Sequence, residues 1–438
     1  MSEAAGRDAP APQLERSLGL AAVVVYAVGD ILGAGIYALV GQVAAVASTG
    51  AWASFVVAAV VAAFTALTYA ELSSRFPYAA GAAAYTQRVF SSPLLAFLVG
   101  VFVLASGVTS AATVSLAFLG YLPKSLSLPA GWGSVALLAA MSLLSFWGMR
   151  ESARVNLVLT LVEVGGLVLV LVGAAHVLGE VGWSTARERL VLDADVAAVL
   201  GGATIAFFAF IGFEDTANIA EEVRDPSWVL PRAILIALAV TTTLYVAVAV
   251  GALVTLSADE LAGHPAPLAA VVAAAGLEIP GGLFSWIALF AICNTGLLNL
   301  IMASRLAYGM ARDGLLPAVI GRVHARRRTP WVGILVAFGL AGALALSGGV
   351  RILAQTTSLL LLTVFATLHA ALLKLKWQGE AAPDGVFVVP RWIPAVGLVV
   401  SLALLARYPL GGYLRALGLL AAGVLLFRFC APSGRSMP

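Results

Sequence analysis

Apolar residues run through this chain in long unbroken blocks. They show neither the alternation of a half-buried strand nor the spacing of a helix with one face in water. About 20 helical residues cross a hydrocarbon core of ~30 Å. That ruler divides the sequence into twelve apolar segments, at 18–47, 51–73, 92–122, 132–149, 153–178, 196–222, 230–256, 281–311, 331–347, 350–374, 392–407 and 411–430. Ser91-Ser92-Pro93 reads as cap plus first-turn proline for the third segment, and Pro231 as the first-turn proline of the seventh. The longer connection around Pro265 to Ala275 carries a small apolar patch and is expected to hold a short helix against the outer face.

Two of these segments are interrupted where a spanning helix should be continuous. In 196–222 the apolar run reaches Phe207, Phe208 and Phe210, then Gly212 breaks it and Glu214 and Asp215 follow. A carboxylate at the centre of a membrane helix costs about 2.5–3.5 kcal/mol, so two in succession need protein or water around them. Helix formers continue to Glu222, and the first strong turn signal is Asp225-Pro226. A half-helix, a break and a second half-helix is therefore expected. Segment 18–47 repeats the pattern, with Gly33-Ala34-Gly35 interrupting the run one turn after Asp30. Glycines alone signal only close helix packing, and Gly33-x-Gly35 has neither the strand nor the αβ unit of a dinucleotide site.

Composition settles the class. Of 438 residues, 61% are hydrophobic and 11% charged, with mean hydropathy +1.00. No soluble domain of this size absorbs so much apolar surface, and continuous runs exclude a β-barrel. An all-α polytopic membrane protein is expected. A net charge of +3 gives no reason to expect nucleic acid. Cys293 and Cys430 lie far apart in or beside apolar runs, and four scattered histidines have no ligand spacing. Neither a disulfide framework nor a metal or other cofactor is expected. Residues 1–17 read as a short tail without a cleavable signal, and 431–438 as a second tail. With the N-terminus inside, nineteen Lys and Arg fall on the inner side. Six fall outside: Lys124, Arg187, Arg189, Arg351, Arg407 and Arg415. Both termini are thus expected to be cytoplasmic, in the cytoplasmic membrane.

The two interrupted segments each open a block of five, 18–178 and 196–374, followed by 392–430. An odd number of spans per block inverts the second block relative to the first. Paired interrupted helices in an inverted repeat point to the midplane site of a secondary transporter. Breaking a helix frees N–H groups on one side and carbonyls on the other. A carboxylate can then sit on the N–H groups of Gly33 to Ile36, and an ammonium on carbonyls around Phe208 to Ile211.

In these stretches the chain resembles the amino acid–polyamine–organocation (APC) permeases over nearly its whole length. The matching motifs are GDILGAGIYALVG, LTYAELSSRFPYAAGAAAY at 67–85, FFAFIGFEDTANIAEEVRDPSWVLPRAI at 207–234, SRLAYGMARDGLLP at 304–317 and Thr329-Pro330-Trp331. The resemblance implies a leucine-transporter-type five-plus-five inverted repeat with two further helices, and transport of amino acids or amines. It also implies a substrate site in which Gly33, Ala34 and Gly35 bind the carboxylate and Phe208, beside Phe207, closes over the ligand. Ser106 and Asn299 would face the substrate, and Glu214 would act in gating or proton coupling. Many relatives carry Ser or Thr where this chain has Ala34, and some proton-coupled ones carry lysine where it has Glu163.

Four intramembrane acids are candidates for coupling: Asp30, Glu163, Glu214 and Asp215. Glu163 leads as proton carrier, against a plain polar tie to Asn156 or Thr160. A cation held by the carbonyls of Gly29 and Leu32 with the Thr295 hydroxyl is the other option. Arg312-Asp313 and Arg224-Asp225 are expected to pair across the inner gate, and Arg326-Arg327-Arg328 reads as a topology signal. HExxH and GxSxG motifs are absent, so no enzyme is expected. The reading is a transporter of an amino acid rather than an enzyme or a sensor, with proton coupling placed ahead of exchange and sodium coupling, and a polyamine or other organic amine as the alternative substrate.

Overall fold

The computed structural model describes residues 14–121, 130–193, 195–264, 266–277, 282–347 and 350–406, with 413, 417, 418, 421, 424, 425 and 427. The chain opens with α1 (Leu20–Ala47), α2 (Ala51–Arg75), α3 (Gly81–Phe90), α4 (Pro93–Tyr121) and α5 (Ala130–Trp147). It continues with α6 (Met149–Leu190) and α7 (Val196–Ala206), then 3-10 turns at Phe207–Phe210 and Phe213–Glu222. After these come α8 (Pro226–Thr255), α9 (Ala258–Gly263), α10 (Pro267–Ala274), α11 (Leu283–Arg312), α12 (Trp331–Ser347), α13 (Val350–Trp377) and α14 (Trp392–Leu405). Eight helical stretches among the described residues are long and apolar enough to cross a membrane. Three shorter apolar helices, Gly131–Trp147, Trp331–Leu346 and Trp392–Leu405, accompany them. The protein is a helical multi-pass membrane protein. Most of the expected last segment, 411–430, lies outside the described residues.

Several boundaries follow directly from local chemistry. Ser92 Oγ accepts from Leu95 N at 3.3 Å and Pro93 starts α4, the expected cap and first-turn proline. The seventh segment differs from expectation. It starts at Pro226, behind Asp225 at φ 45°, and Pro231 lies inside the helix rather than at its start. Pro231 has no N–H for the Ser227 carbonyl four residues earlier. That carbonyl instead accepts from Ser74 Oγ at 2.7 Å, so α2 satisfies the group the proline leaves open. The fifth segment also outruns its expected end, with α6 reaching Leu190 past a non-helical residue at Gly182. Arg189 Nη1 there donates to Val254 O and Thr255 O, the last carbonyls of α8. The short helix expected around Pro265 to Ala275 is α10, which buries Leu268, Val271 and Val272, and a further short helix, α9, precedes it and buries Leu261. A capping box between Ser257 and Glu260 starts α9.

The helices pack around α1, which touches α6, α7, α8 and α11, while α4 lies against α11 and α13. Exposed tryptophans lie near helix ends. Trp147, Trp228, Trp331, Trp377 and Trp392 sit at one end of their helices and Trp132, Trp183 and Trp286 at the other, each 37–77% exposed. Tryptophans at both ends of apolar helices are the interfacial belts of a spanning bundle.

Candidate functional site

Two interruptions meet in the middle of the bundle. In α1 the backbone leaves helical geometry at Gly33, with φ 19° and ψ −169°. In the second stretch α7 gives way to the 3-10 turn Phe207–Phe210, Ile211 is extended, and Gly212 takes φ 134°. The break falls where the sequence placed it, but its second half, Phe213–Glu222, winds as a 3-10 helix. Asp215, Thr216 and Asn218 are poor helix formers because their short polar side chains compete with the backbone.

The breaks interlock through backbone, with no room for side chains between them. A Cβ on Gly212 would lie 2.8 Å from Asp30 C and O, and one on Gly35 would lie 3.1 Å from Ala209 Cα. Gly212 N donates to Glu214 Oε2 at 2.8 Å, folding that carboxylate back onto the break. Tyr245 of α8 joins the two: its hydroxyl lies 2.6, 2.9 and 3.1 Å from the carbonyls of Ile31, Leu32 and Ala209. Its single hydrogen serves one of these carbonyls at a time, and the Ala209 carbonyl, one of those expected to receive an ammonium, is the farthest of the three.

A cavity of about 280 Å³ opens at this junction. Of the sequence-named residues it brings together Gly33, Gly35, Phe208, Ile211, Ser106 and Asn299. The acids Asp30, Glu214 and Asp215 also line it, with the Asp30 and Asp215 carboxyl groups against each other. Asp30 is 5% exposed and its Oδ2 has no hydrogen-bond partner. Ile36 and Phe207 are not part of the lining. Ile36 is buried in the core, and the Phe207 ring packs edge-on to Phe365 at 6.5 Å. The side chain of Ala34 lies outside the described residues. Ser110 and Thr113 line the cavity beside Ser106 and were not singled out from sequence. Their i, i+4, i+7 spacing on α4 is the signal that would have found them.

Glu163 lies apart from this cavity, fully buried on α6, with neither carboxylate oxygen hydrogen-bonded. The expected polar tie runs past it. Thr160 Oγ1 donates to Asn156 Oδ1 at 3.1 Å, and Asn294 Nδ2 donates to Thr160 Oγ1 at 3.1 Å. Only the Glu163 backbone carbonyl is engaged, by Tyr37 Oη at 2.9 Å. Around the proposed cation ligands, Asn294 Nδ2 reaches Gly29 O at 3.5 Å, Tyr245 Oη lies 2.9 Å from Leu32 O, and Thr295 Oγ1 donates to Ala291 O, which leaves its lone pairs free. Among the described residues no cluster of His, Cys, Asp or Glu is arranged to hold a metal ion.

Charge at the Trp228 end is organised differently from expectation. Arg312 pairs with Asp313 at 3.5 Å as expected, and also with Glu221. Arg224 and Asp225 form no ion pair among the described residues; the Arg224 backbone N–H instead bonds Leu18 O. Arg305, counted from sequence as a topology charge, is fully buried and held to Glu222 by contacts of 3.1 and 3.3 Å. Lys376 is likewise buried on Glu71, which also accepts from Val389 N. Glu71 and Glu222 therefore join the buried acids, and the sequence reading missed both. Outside the spans, burial raises the Asp313 carboxyl above its ordinary range, against the pull of Arg312.

Comparison with known proteins places these features in a group. The profile of the family described as "Amino acid permease" matches residues 18–415. The chain is 34% identical to the chloroplastic cationic amino acid transporter 9 of Arabidopsis thaliana over 74% of its own length, and spans 60% of that protein's. It is 29% identical to the branched-chain amino acid permease BcaP of Bacillus subtilis, over 90% of this chain and 86% of that one. A methylthioribose transporter of the same bacterium is also 29% identical, over 94% and 93% of the two chains.

Proposed function

Because the chain belongs to the amino acid permease family, we propose that it is a secondary active transporter moving an amino acid across the cytoplasmic membrane by alternating access, driven by protons. The observation that carries this reading is the interlocked pair of breaks at Gly33 and Gly212 around a cavity lined by three carboxyl groups. Twelve spans divide into 18–178 and 196–374, related as inverted five-helix repeats, with 392–430 added. Both termini face the cytoplasm, a reading that the Lys and Arg bias supports. The family groups transporters, and the chain is a permease rather than an enzyme.

In this mechanism the turn at Gly33 to Gly35 presents backbone N–H groups to the substrate carboxylate, and Phe208 covers the ligand. Ser106 and Asn299 meet the substrate side chain, and Glu214 and Asp215 respond to its arrival at the break. Glu163 carries the proton. A fully buried carboxyl without any hydrogen-bond donor is far more easily kept neutral than charged, and it becomes ionised when the surrounding helices part and admit water.

The test is uptake of labelled amino acids by the purified protein in proteoliposomes, with and without an inward proton gradient, beside Glu163→Gln. Gradient-driven accumulation lost in the variant, with exchange retained, is the expected result. Uptake that ignores the pH gradient and follows sodium would remove the proton mechanism.

A further inference from the structure

We propose that an arginine-rich cavity at the Trp147 end of the bundle binds the phosphate of an anionic lipid headgroup. The inference goes beyond the transport reading above and draws on it only for the leaflet concerned, the cytoplasmic one.

Two adjoining cavities, of about 180 and 520 Å³, share Glu15, Arg326 and Arg328 in their walls. Arg16 of the N-terminal segment lines the larger one, and Arg150 and Arg327 line the smaller. Stretches far apart in the chain thus bring arginines to one place. Arg150 is paired with Glu15, and Glu222 with Arg305. Arg16, Arg326, Arg327 and Arg328 are exposed and have no ion pair among the described residues. Glu151 is the one lining acid without an ion pair there. Four such guanidinium groups around one space repel each other, and an anion between them relieves that repulsion. A guanidinium fork meets two phosphate oxygens at once.

The frame that carries these arginines is fixed by hydrogen bonds. His324 N donates to Thr329 O and Arg328 N to His324 O, both at 2.9 Å, closing the turn before α12. Thr329 Oγ1 donates to Phe146 O at 3.1 Å, and the Phe146 and His324 rings meet edge-on at 5.2 Å, so the turn is tied to the end of α5. On the other wall, Ser17 N and Leu18 N donate to Glu222 O at 2.9 and 3.0 Å, and Arg224 N to Leu18 O at 2.8 Å. An anion held between Arg16 and Arg328 would therefore link the N-terminal segment to the start of α12.

Lipid rather than soluble phosphate follows from what borders the cavity. Trp147, 48% exposed, lines it as the last residue of α5, and Trp331, 37% exposed, opens α12 three residues after Arg328. Tryptophans at helix ends mark the headgroup level. One turn further along each helix, Leu143 and Leu335 are each 55% exposed, and α5 packs against α12. Acyl chains below a bound phosphate would lie against this apolar seam, an attachment that soluble phosphate lacks. A topology signal alone needs positive residues near helix ends, and does not need them to converge from distant segments on one cavity.

The experiment follows thermal unfolding of the full-length protein in detergent with added dioleoylphosphatidylglycerol, dioleoylphosphatidylcholine or inorganic phosphate. Phosphatidylglycerol well above its Kd is expected to raise the midpoint by about 2 °C or more, and phosphatidylcholine to leave it in place. Arg326→Gln/Arg328→Asn is expected to lose that rise; asparagine suits the φ of 56° at this position. Arg322→Gln/Arg391→Gln removes the same charge from exposed arginines outside the cavity and is expected to keep it. Should the first variant not survive purification, Arg16→Gln is expected to lose the rise in its place. Equal rises with the two lipids, or in the two double variants, overturn the proposal, as does a midpoint that no additive moves. An equal rise with inorganic phosphate keeps the anion site and overturns its assignment to lipid.

Discussion

Tyr245 is the residue on which the meeting of the two breaks depends most directly. One hydroxyl lies within hydrogen-bond distance of carbonyls from both interrupted stretches, Ile31 and Leu32 on one side and Ala209 on the other, with one hydrogen to give. Tyr245→Phe keeps the ring, with its edge contacts to Phe55 and Phe210, and leaves buried carbonyls without that donor. The expected cost is about 1–3 kcal/mol, read as a lower midpoint of thermal unfolding in detergent together with slower uptake. An unchanged midpoint would mean that water replaces the hydroxyl at the junction. Nothing in the sequence marks this tyrosine, because an aromatic residue in an apolar helix is unremarkable by type. Asp30, Glu163, Glu214 and Asp215 were legible for the opposite reason: a carboxylate inside an apolar run is expensive and has to be explained. What the sequence could not supply was their grouping. Three of them meet at one cavity, while Glu163 stands apart from it.

At the level of elements, the interruptions themselves were readable and their geometry was not. Glycine followed by acids announces a break, but which helical form follows depends on packing. Gly212 is the position where the fold allows least change. Its φ of 134° is strained for any residue with a side chain, and a Cβ there would press on the backbone of Asp30 at 2.8 Å. Gly212→Ala is therefore expected to lose the monodisperse peak in size-exclusion chromatography or, where protein survives, to lose uptake. Normal uptake would show that the two breaks do not need this close approach. The Pro231 misreading has a similar origin. A proline near the start of an apolar run suggests a helix start, yet Ser74 on α2 supplies the donor that lets the helix begin five residues earlier. Ser74→Ala tests this compensation. It leaves Ser227 O without that bond and removes the Oγ that accepts from Phe387 N, so a destabilisation of about 1–2 kcal/mol is expected from thermal unfolding.

Over the whole molecule, the count of positive residues gave an orientation by treating every Lys and Arg as a surface charge. Arg305 and Lys376 are instead buried against Glu222 and Glu71, and setting both aside leaves the inner excess in place. The Arg305–Glu222 pair has a different importance, since it ties α11 to the last residue of the 3-10 stretch that follows the break. Ser145 of α5 and Ser304 each accept from Arg305 Nη1, and the Glu222 carbonyl accepts from the backbone of Ser17 and Leu18. Four parts of the chain converge on one buried pair. Removing one member leaves an uncompensated charge, which costs about 3–5 kcal/mol, whereas replacing both with apolar groups of similar size is often neutral. Arg305→Met or Glu222→Met alone should therefore be poorly folded, and the double variant should recover its unfolding midpoint. Uptake separates stability from mechanism. A double variant that is stable but transports slowly assigns the pair to positioning the second half-helix during the cycle, and one that transports normally confines it to holding the bundle together. Equal damage in the single and double variants would mean that the serines and backbone around the pair, rather than the charges, set the stability of this end.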